Sequence, residues 1–217
     1  MTTLSEENYL KAIYHLGQQG TVAVSTNAIA EKIDSKASSV TDMVKKLADK
    51  NLADYVKYQG VSLTNDGRLT AASVIRKHRL WEVFLVEKLH FSWDEVHDVA
   101  EQLEHIKSLK LVNELDSFLG FPTHDPHGDP IPDRDGNYTL SKSINVLEME
   151  VGNEGVLVHV KDSSDVFLKY LNKTNLALGD LIKVLDFEPF DDSVSIQTNN
   201  KQLIISKEVA KNLYLSH

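Results

Sequence analysis

Two histidines and two glutamates recur at helical spacing in the segment VHDVAEQLEH, residues 96–105. On a helix, His97, Glu101, Glu104 and His105 fall within an arc of about 100°, and the opposite side carries valine and leucine. Carboxylate and imidazole ligands suit a hard or borderline divalent cation such as Mn²⁺ or Fe²⁺. The segment therefore predicts either a metal site or an ordinary solvated helix face.

A second pair of the same kind lies upstream, in RKHRLWE. His78 and Glu82 are one helical turn apart, so their side chains are neighbours on a helix. The chain has no cysteine, which excludes disulfides, thiolate chemistry and a cysteine-based zinc site.

The elements before these pairs are typical of a DNA-binding unit. Residues 25–33 and 37–50 carry apolar side chains at helical spacing around a short break, which indicates a helix-turn-helix. Two β runs around Gly60 follow, and a hairpin directly after the second helix indicates a winged helix. A long helix through the 70s and 80s, and then a helix over 94–118, are expected to position the His/Glu pairs.

The C-terminal part changes character. Residues 120–137 contain four of the five prolines and predict an extended tether. Short apolar runs then predict strands at 156–160, 181–185, 193–196 and 202–205. We predict a mainly α chain with a small β domain, divided into a winged helix-turn-helix (1–75), a helical metal-binding and dimerisation domain with the tether (76–142), and an SH3-like β-barrel (143–217).

Charge is divided unevenly along the chain. The net charge is −9, but residues 1–79 carry +3 and the remainder −12, so the N-terminal part is the one suited to approach phosphates. No apolar run approaches the roughly 18 residues of a membrane span, and the N-terminus lacks the features of a signal peptide. We expect a cytoplasmic protein with no membrane partner.

The order of these motifs resembles the diphtheria-toxin-repressor family of iron- and manganese-dependent transcriptional repressors. The resemblance is carried by SSVTDMVKKL, HRLWE, EQLEH and FPTHDPHGDPIP, and covers essentially the whole chain. It implies a homodimer that binds palindromic operator DNA and uses metal as a regulatory ligand, with no small-molecule substrate.

The resemblance also assigns the metal ligands. The main regulatory site matches Glu101, Glu104 and His105, and Glu101 stands where the iron-sensing branch has cysteine. Both branches take another ligand, Asp or Met, from the first helix, where this chain has Asn8 and offers only a neutral carbonyl oxygen. Mn²⁺ is the expected ion and Fe²⁺ the alternative.

The family's second site has two alternative matches here. One set is His78, Glu82 and His97. The other is Glu82, Asp125, His127 and Asp162, with His124 and Asp165 as possible substitutes.

The expected DNA contacts lie on the wing and on the second helix of the helix-turn-helix, residues 37–50, which is the recognition helix. Hydroxyl groups there can bond phosphates or base edges, and lysines can neutralise phosphates. The candidates are Lys36, Ser38, Ser39, Thr41, Lys45, Lys46, Lys57, Tyr58 and Gln59.

Two other functions fit parts of the pattern. His/Glu clusters also build metallohydrolases, but the chain has no nucleophile motif, no Gly-rich phosphate loop and no HExxH. A metal-independent winged-helix regulator would leave the His/Glu face merely solvated. Activation of transcription is the alternative to repression.

Overall fold

The computed structural model describes residues 2–138, 142–199 and 201–216. The chain divides into two compact units. The first comprises Met1–His78, Glu101–Asn113 and Pro132–Tyr138, and the second Arg79–Ala100, Glu114–Ile131 and Thr139–His217. Three consecutive domains with borders near residues 75 and 142 remain a prediction.

The first unit contains a winged helix. Helix α1 spans Leu4–Leu16 and begins with a capping box in which the Thr3 side chain accepts from the Glu6 amide. Helices α2 (Thr26–Lys32) and α3 (Ala37–Asp49) follow, and strands β1 (Ala53–Val56) and β2 (Gly60–Leu63) pair antiparallel as the wing. The predicted helix-turn-helix and hairpin are confirmed.

The core of this unit fixes α1 against α2 and α3. Leu10 and Ile13 of α1, Ile29 of α2, and Val44 and Leu47 of α3 are all fully buried in one cluster. Burial of each such side chain contributes roughly 1.5–3 kcal/mol. The position of α1 and that of α3 are therefore linked by packing.

The helical region departs from the sequence prediction at one point. Helix α4 runs over Asn65–Leu89, but the helix expected over 94–118 is two helices, α5 (Val96–Leu103) and α6 (Leu109–Phe118). Ser108 explains the break, because its hydroxyl accepts from the Leu111 amide at 3.3 Å and so begins a new helix.

The second unit contains a six-stranded antiparallel sheet. Its strands are β3 (Ser143–Asn145), β4 (Glu154–Val160), β5 (Leu181–Phe187), β6 (Val194–Thr198), β7 (Lys201–Ile205) and β8 (Leu213–Ser216), in the order β3-β8-β4-β5-β6-β7. A 3-10 turn (Val146–Glu148) and helices α7 (Asp165–Thr174) and α8 (Lys207–Ala210) complete it. The mainly α chain with a small β domain is confirmed.

Residues 127 and 128 of the tether lie directly on this sheet. The Val160 amide donates to the His127 carbonyl at 3.0 Å. Gly128 has a φ of +84°, and a Cβ there would lie 2.0 Å from the Val158 carbonyl oxygen, so only glycine fits. Within the described ranges, no helix is both long and apolar enough to cross a bilayer.

Candidate metal centres and nucleic-acid interface

The first candidate metal centre lies where α5 ends. Glu101 is in the last turn of α5, and Glu104 and His105 lie in the turn after Leu103 rather than on the helix. The three side chains are therefore not arranged as on one continuous helix. Charged side chains of α1 contact all three of them.

The carboxylate of Glu104 is the buried centre of this group, with a side chain only 1% exposed. The Lys11 ammonium lies 2.7 and 2.9 Å from its two oxygens, and Nδ1 of His78 lies 2.7 Å from Oε2. Burial alone would raise the pKa of Glu104, but the hydrogen bond with His78 and the charge of Lys11 outweigh it and lower that pKa. Glu104 is thus held as a carboxylate.

The other two members are held by α1 as well. Lys11 also contacts Oε1 of the half-exposed Glu101, at 3.2 Å. Nδ1 of His105 lies 2.7 Å from Oε2 of Glu7. An ionised carboxylate only accepts hydrogen bonds, so the contact with an ionised Glu7 assigns the proton to Nδ1 of His105. In the neutral ring, Nε2 then carries the lone pair, and it lies 3.5 Å from Oε1 of Glu104. That is the tautomer of a metal ligand with its outer-shell partner in place.

Asn8 lies on the same helix, between Glu7 and Lys11. Its Oδ1 atom is buried and has no hydrogen-bond partner among the described residues. A buried carbonyl oxygen without a partner is unfavourable by about 1–3 kcal/mol, and a cation is one partner that would satisfy it. The donor set of oxygen and imidazole nitrogen therefore fits a hard or borderline divalent ion.

The second candidate centre lies within the second unit. Glu82 of α4 and the tether residues Asp125 and His127 offer ligand atoms that all lie within 4.8 Å of one another, and all three residues are buried. Nδ1 of His127 is 3.9 Å from Oε1 of Glu82 and 3.8 Å from Oδ1 of Asp125.

Two features of this cluster favour a cation. Nε2 of His127 lies 2.8 Å from the Trp93 carbonyl oxygen. A carbonyl only accepts, so Nε2 donates, and Nδ1 of the neutral ring presents its lone pair to the carboxylates. Burial, together with the charge of Glu82, raises the pKa of Asp125 well above its ordinary value, because two buried carboxylates repel each other.

The other second-site candidates have different partners. The Asp162 carboxylate accepts from the Ser164 amide at 2.9 Å, and the Asp165 carboxylate pairs with Lys169 at 3.3 Å. Neither belongs to the cluster of Glu82, Asp125 and His127. Nδ1 of His124 contacts the Thr123 hydroxyl at 3.0 Å.

The alternative set of His78, Glu82 and His97 stays a prediction. His78 belongs to the first unit, and the other two residues belong to the second. Within the second unit, Nδ1 of His97 lies 3.6 Å from Oε1 of Glu82.

The predicted DNA contacts lie mostly on an exposed face. The predicted contacts whose side chains are exposed lie at the N-cap of α3, on α3 and in the wing: Lys36, Ser38, Ser39, Lys45, Lys46, Lys57, Tyr58 and Gln59. Thr41 is half-buried and donates to the Ala37 carbonyl at 2.9 Å. Lys46 is paired with the buried carboxylate of Glu6 at 3.0 Å. The Lys57 ammonium lies 4.9 Å from the centre of the Tyr58 ring at the wing tip.

Sequence reasoning missed several partners of these sites. Glu7 and Lys11 flank Asn8 on one face of α1, and that i, i+4 spacing was the available signal. Arg79 was missed too: its Nε lies 3.4 Å from Oδ2 of Asp125 and its Nη2 lies 3.2 Å from Oδ1 of Asp129. The Trp93 contact uses a backbone oxygen, for which no residue type is a signal.

Comparison with known protein families accounts for nearly all of the chain. Residues 1–61 match the iron dependent repressor N-terminal DNA binding domain, and residues 64–133 match the iron dependent repressor metal binding and dimerisation domain. Residues 144–217 match the FeoA domain, in agreement with the expected SH3-like unit.

Individual relatives include both iron- and manganese-dependent proteins. The iron-dependent repressor IdeR of Mycobacterium leprae (strain TN) is 30% identical over 176 residues, which are 75% of this chain and 76% of that protein. A solved manganese-dependent transcriptional repressor in complex with manganese is 33% identical, with a TM-score of 0.87 over 97% of this chain and 99% of that one. The manganese regulator SloR is 35% identical, with a TM-score of 0.78 over 97% of each chain.

Proposed function

Because this chain belongs to the iron-dependent repressor family, whose members are metal-dependent, DNA-binding transcriptional repressors, we propose that it is a manganese-activated repressor of metal-uptake genes. Fe²⁺ is the alternative activating ion. We further propose that it acts in the cytoplasm as a homodimer on a palindromic operator, since a twofold dimer presents two recognition helices to two half-sites.

One observation carries this proposal: the buried carboxylate of Glu104 faces charged side chains of α1. Glu101, Glu104, His105 and Asn8 would hold the regulatory ion. A bound divalent cation supplies positive charge that offsets the repulsion between the two carboxylates. The residues of α1 and of the segment 101–105 are then drawn to one point, and the packing of α1 on α3 passes that constraint to the recognition helix.

Activation in this proposal is a shift of population. Without the cation, the Asn8 oxygen of α1 has no hydrogen-bond partner among the described residues, and α3 samples more positions. A cation that binds the ordered arrangement better shifts the population toward it. No covalent bond of a substrate is made or broken in this proposal, so the metal is a regulatory ligand rather than a catalyst.

The preference for Mn²⁺ rests on the donor atoms. The two candidate centres offer carboxylate, carboxamide and imidazole groups and no sulfur, a set that suits a harder ion. The relatives named for manganese align with nearly the whole chain, which supports the same preference. The iron-dependent IdeR keeps Fe²⁺ as the alternative.

We propose a second, auxiliary site at Glu82, Asp125 and His127. These residues would hold a cation where α4 meets the tether, and the tether is itself hydrogen-bonded to β4. Asp162 is a further candidate ligand of this site, although its carboxylate already accepts a hydrogen bond from the Ser164 amide. The exposed lysines and hydroxyls of α3 and the wing would contact the operator.

The identity of the ion is tested by operator binding. Fluorescence anisotropy on a metal-transporter promoter, titrated with Mn²⁺ and, anaerobically, with Fe²⁺, gives the concentration at which each ion activates. We expect activation by Mn²⁺ at the lower concentration. Activation by Fe²⁺ at a lower concentration would assign the chain to iron sensing, and equal binding in chelator would reject metal dependence.

A further inference from the structure

One side chain occupies the coordinating oxygens of the first candidate centre. The Lys11 ammonium contacts both oxygens of Glu104, at 2.7 and 2.9 Å, and Oε1 of Glu101 at 3.2 Å. It reaches them from α1, 90 and 93 residues away in sequence. The Lys11 ammonium is therefore a cation bound to the same carboxylates that would hold the proposed regulatory ion.

This contact is more than a surface ion pair. The Lys11 side chain is 16% exposed and that of Glu104 is 1% exposed. A buried carboxylate without a cationic partner is strongly unfavourable, whereas exposed ion pairs contribute little. The other partner of Glu104 is His78, which is charged only when it is protonated. Of these two partners, Lys11 is therefore the one that supplies a permanent positive charge.

The chemistry of an ammonium makes the contact exclusive. A protonated lysine has three donors and no lone pair, so it cannot act as a metal ligand. Its charge also repels a divalent cation at the same oxygens. Lys11 must therefore leave Glu104 before that carboxylate can hold a metal ion, and its flexible stem allows it to turn outward.

We infer that Lys11 is a built-in competitor for the regulatory ion, which sets the metal concentration at which the first centre fills. This inference rests on the proposed function, because it assumes that Glu101 and Glu104 hold the ion. In the metal-free chain, Lys11 compensates the buried carboxylate and links α1 to the segment 101–105. On metal binding that ion pair is lost, so its free energy is subtracted from the metal affinity.

Competition by Lys11 predicts a change in the metal concentration at which the first centre fills, without a change in the preference between Mn²⁺ and Fe²⁺. Removal of the ammonium should tighten binding of Mn²⁺ and Fe²⁺ by similar factors, because Lys11 contacts the carboxylates and not the ion. A hydrogen-bonded charged pair of this kind corresponds to about tenfold or more in a dissociation constant.

The test is a direct metal titration without DNA. The Kd for Mn²⁺ is measured by competition with a metal-binding dye in the full chain, in a Glu82→Gln background that removes the second cluster. Lys11→Met keeps the length of the side chain without its charge, and a thioether is a poor ligand for hard Mn²⁺. The matched control is Lys110→Met, which removes an exposed lysine of α6.

We expect Lys11→Met to lower the Kd about tenfold or more and Lys110→Met to leave it unchanged. Lys11→Arg keeps the charge and can pair in a bidentate way, so it should bind Mn²⁺ no more tightly than wild type. Lys11→Met should also melt at a lower temperature in chelator, because Glu104 loses a cation.

Each outcome decides between the inference and its premise. An unchanged or higher Kd in Lys11→Met, with wild type binding Mn²⁺ through Glu104, overturns the role of Lys11 and leaves the site intact. A wild-type affinity that Glu104→Gln does not alter overturns the site itself. Should Lys11→Met fail to fold without metal, Lys11→Arg decides: tighter binding than wild type contradicts competition, and equal or weaker binding supports it.

Discussion

The imidazole of His127 is oriented by the backbone of Trp93, whose carbonyl oxygen lies 2.8 Å from Nε2. The two rings are also stacked, with centroids 6.2 Å apart and planes inclined by 14°. With Nε2 bonded to this carbonyl, Nδ1 of His127 faces the carboxylates of Glu82 and Asp125. Such outer-shell support fixes both the tautomer and the angle of a metal-binding histidine.

The ring stack gives the first prediction. Trp93→Ala removes the stacked surface and loosens the loop that carries the carbonyl, so we expect Mn²⁺ affinity at the second cluster to fall by about tenfold or more. Isothermal titration calorimetry with Mn²⁺, on wild type and on Trp93→Ala, measures this affinity. Trp81→Ala, which removes the other tryptophan, is the control, and an equal loss there would attribute the effect to general destabilisation.

Glu82→Gln should remove one bound ion and stabilise the metal-free chain. The substitution takes away one of two buried carboxylates that repel each other, so the melting temperature in chelator should rise by about 2–4 °C for a gain of about 1 kcal/mol. Elemental analysis after dialysis against Mn²⁺ should give one ion per chain instead of two.

The control for that experiment is Glu87→Gln, which changes an exposed glutamate of the same helix paired with Lys88. It should keep both ions and the wild-type melting temperature. Two ions per chain in Glu82→Gln would show that this carboxylate is not a ligand.

The neighbouring lysines of α3 should contribute unequally to DNA binding. Lys45 is exposed and makes no ion pair with the described residues, whereas Lys46 is already paired with Glu6. Lys45→Gln should reduce the slope of log affinity against log salt by about 1, as for loss of one phosphate contact. Lys46→Gln should reduce it less, and anisotropy titrations at several salt concentrations measure both slopes. A larger loss for Lys46 would contradict this assignment.

Tyr58 at the wing tip should separate stability from binding. Its side chain is 93% exposed and its φ is +67°, a conformation that disfavours residues with a Cβ by about 1–2 kcal/mol. Tyr58→Gly should therefore raise the stability of the chain in urea. It should also weaken operator binding, because the proposed contact of the Tyr58 ring with the DNA is lost. Tyr58→Ala, which keeps the Cβ, should weaken binding without the gain in stability. Unchanged binding in both variants would remove the wing tip from the interface.

Much of the fold follows from local patterns. Helical periodicity around the break at residues 34–36, and the turn at Gly60, are sufficient for the winged helix. The alternation of short apolar runs after residue 142 is sufficient for the small β domain. These signals are local because each depends on neighbouring residues in one element.

The sites depend on contacts that local patterns do not contain. The apolar pattern of 94–118 continues through the break, and the Ser108 cap decides where α6 begins. Lys11 meets Glu104 across 93 residues, so its role is visible only once α1 is packed. Asp162 illustrates the converse, because its carboxylate serves a local turn.

The measurement that tests the central claim most directly is operator binding by wild type and Glu104→Gln, in chelator and in saturating Mn²⁺. The claim is that a buried carboxylate facing α1 holds the activating ion. We predict that wild type binds the operator tightly only with Mn²⁺ and that Glu104→Gln, still folded by circular dichroism, loses the response by about 100-fold or more, as the loss of a charged ligand implies. Equal Mn²⁺-dependent binding by both chains, or tight binding in chelator, would contradict the account.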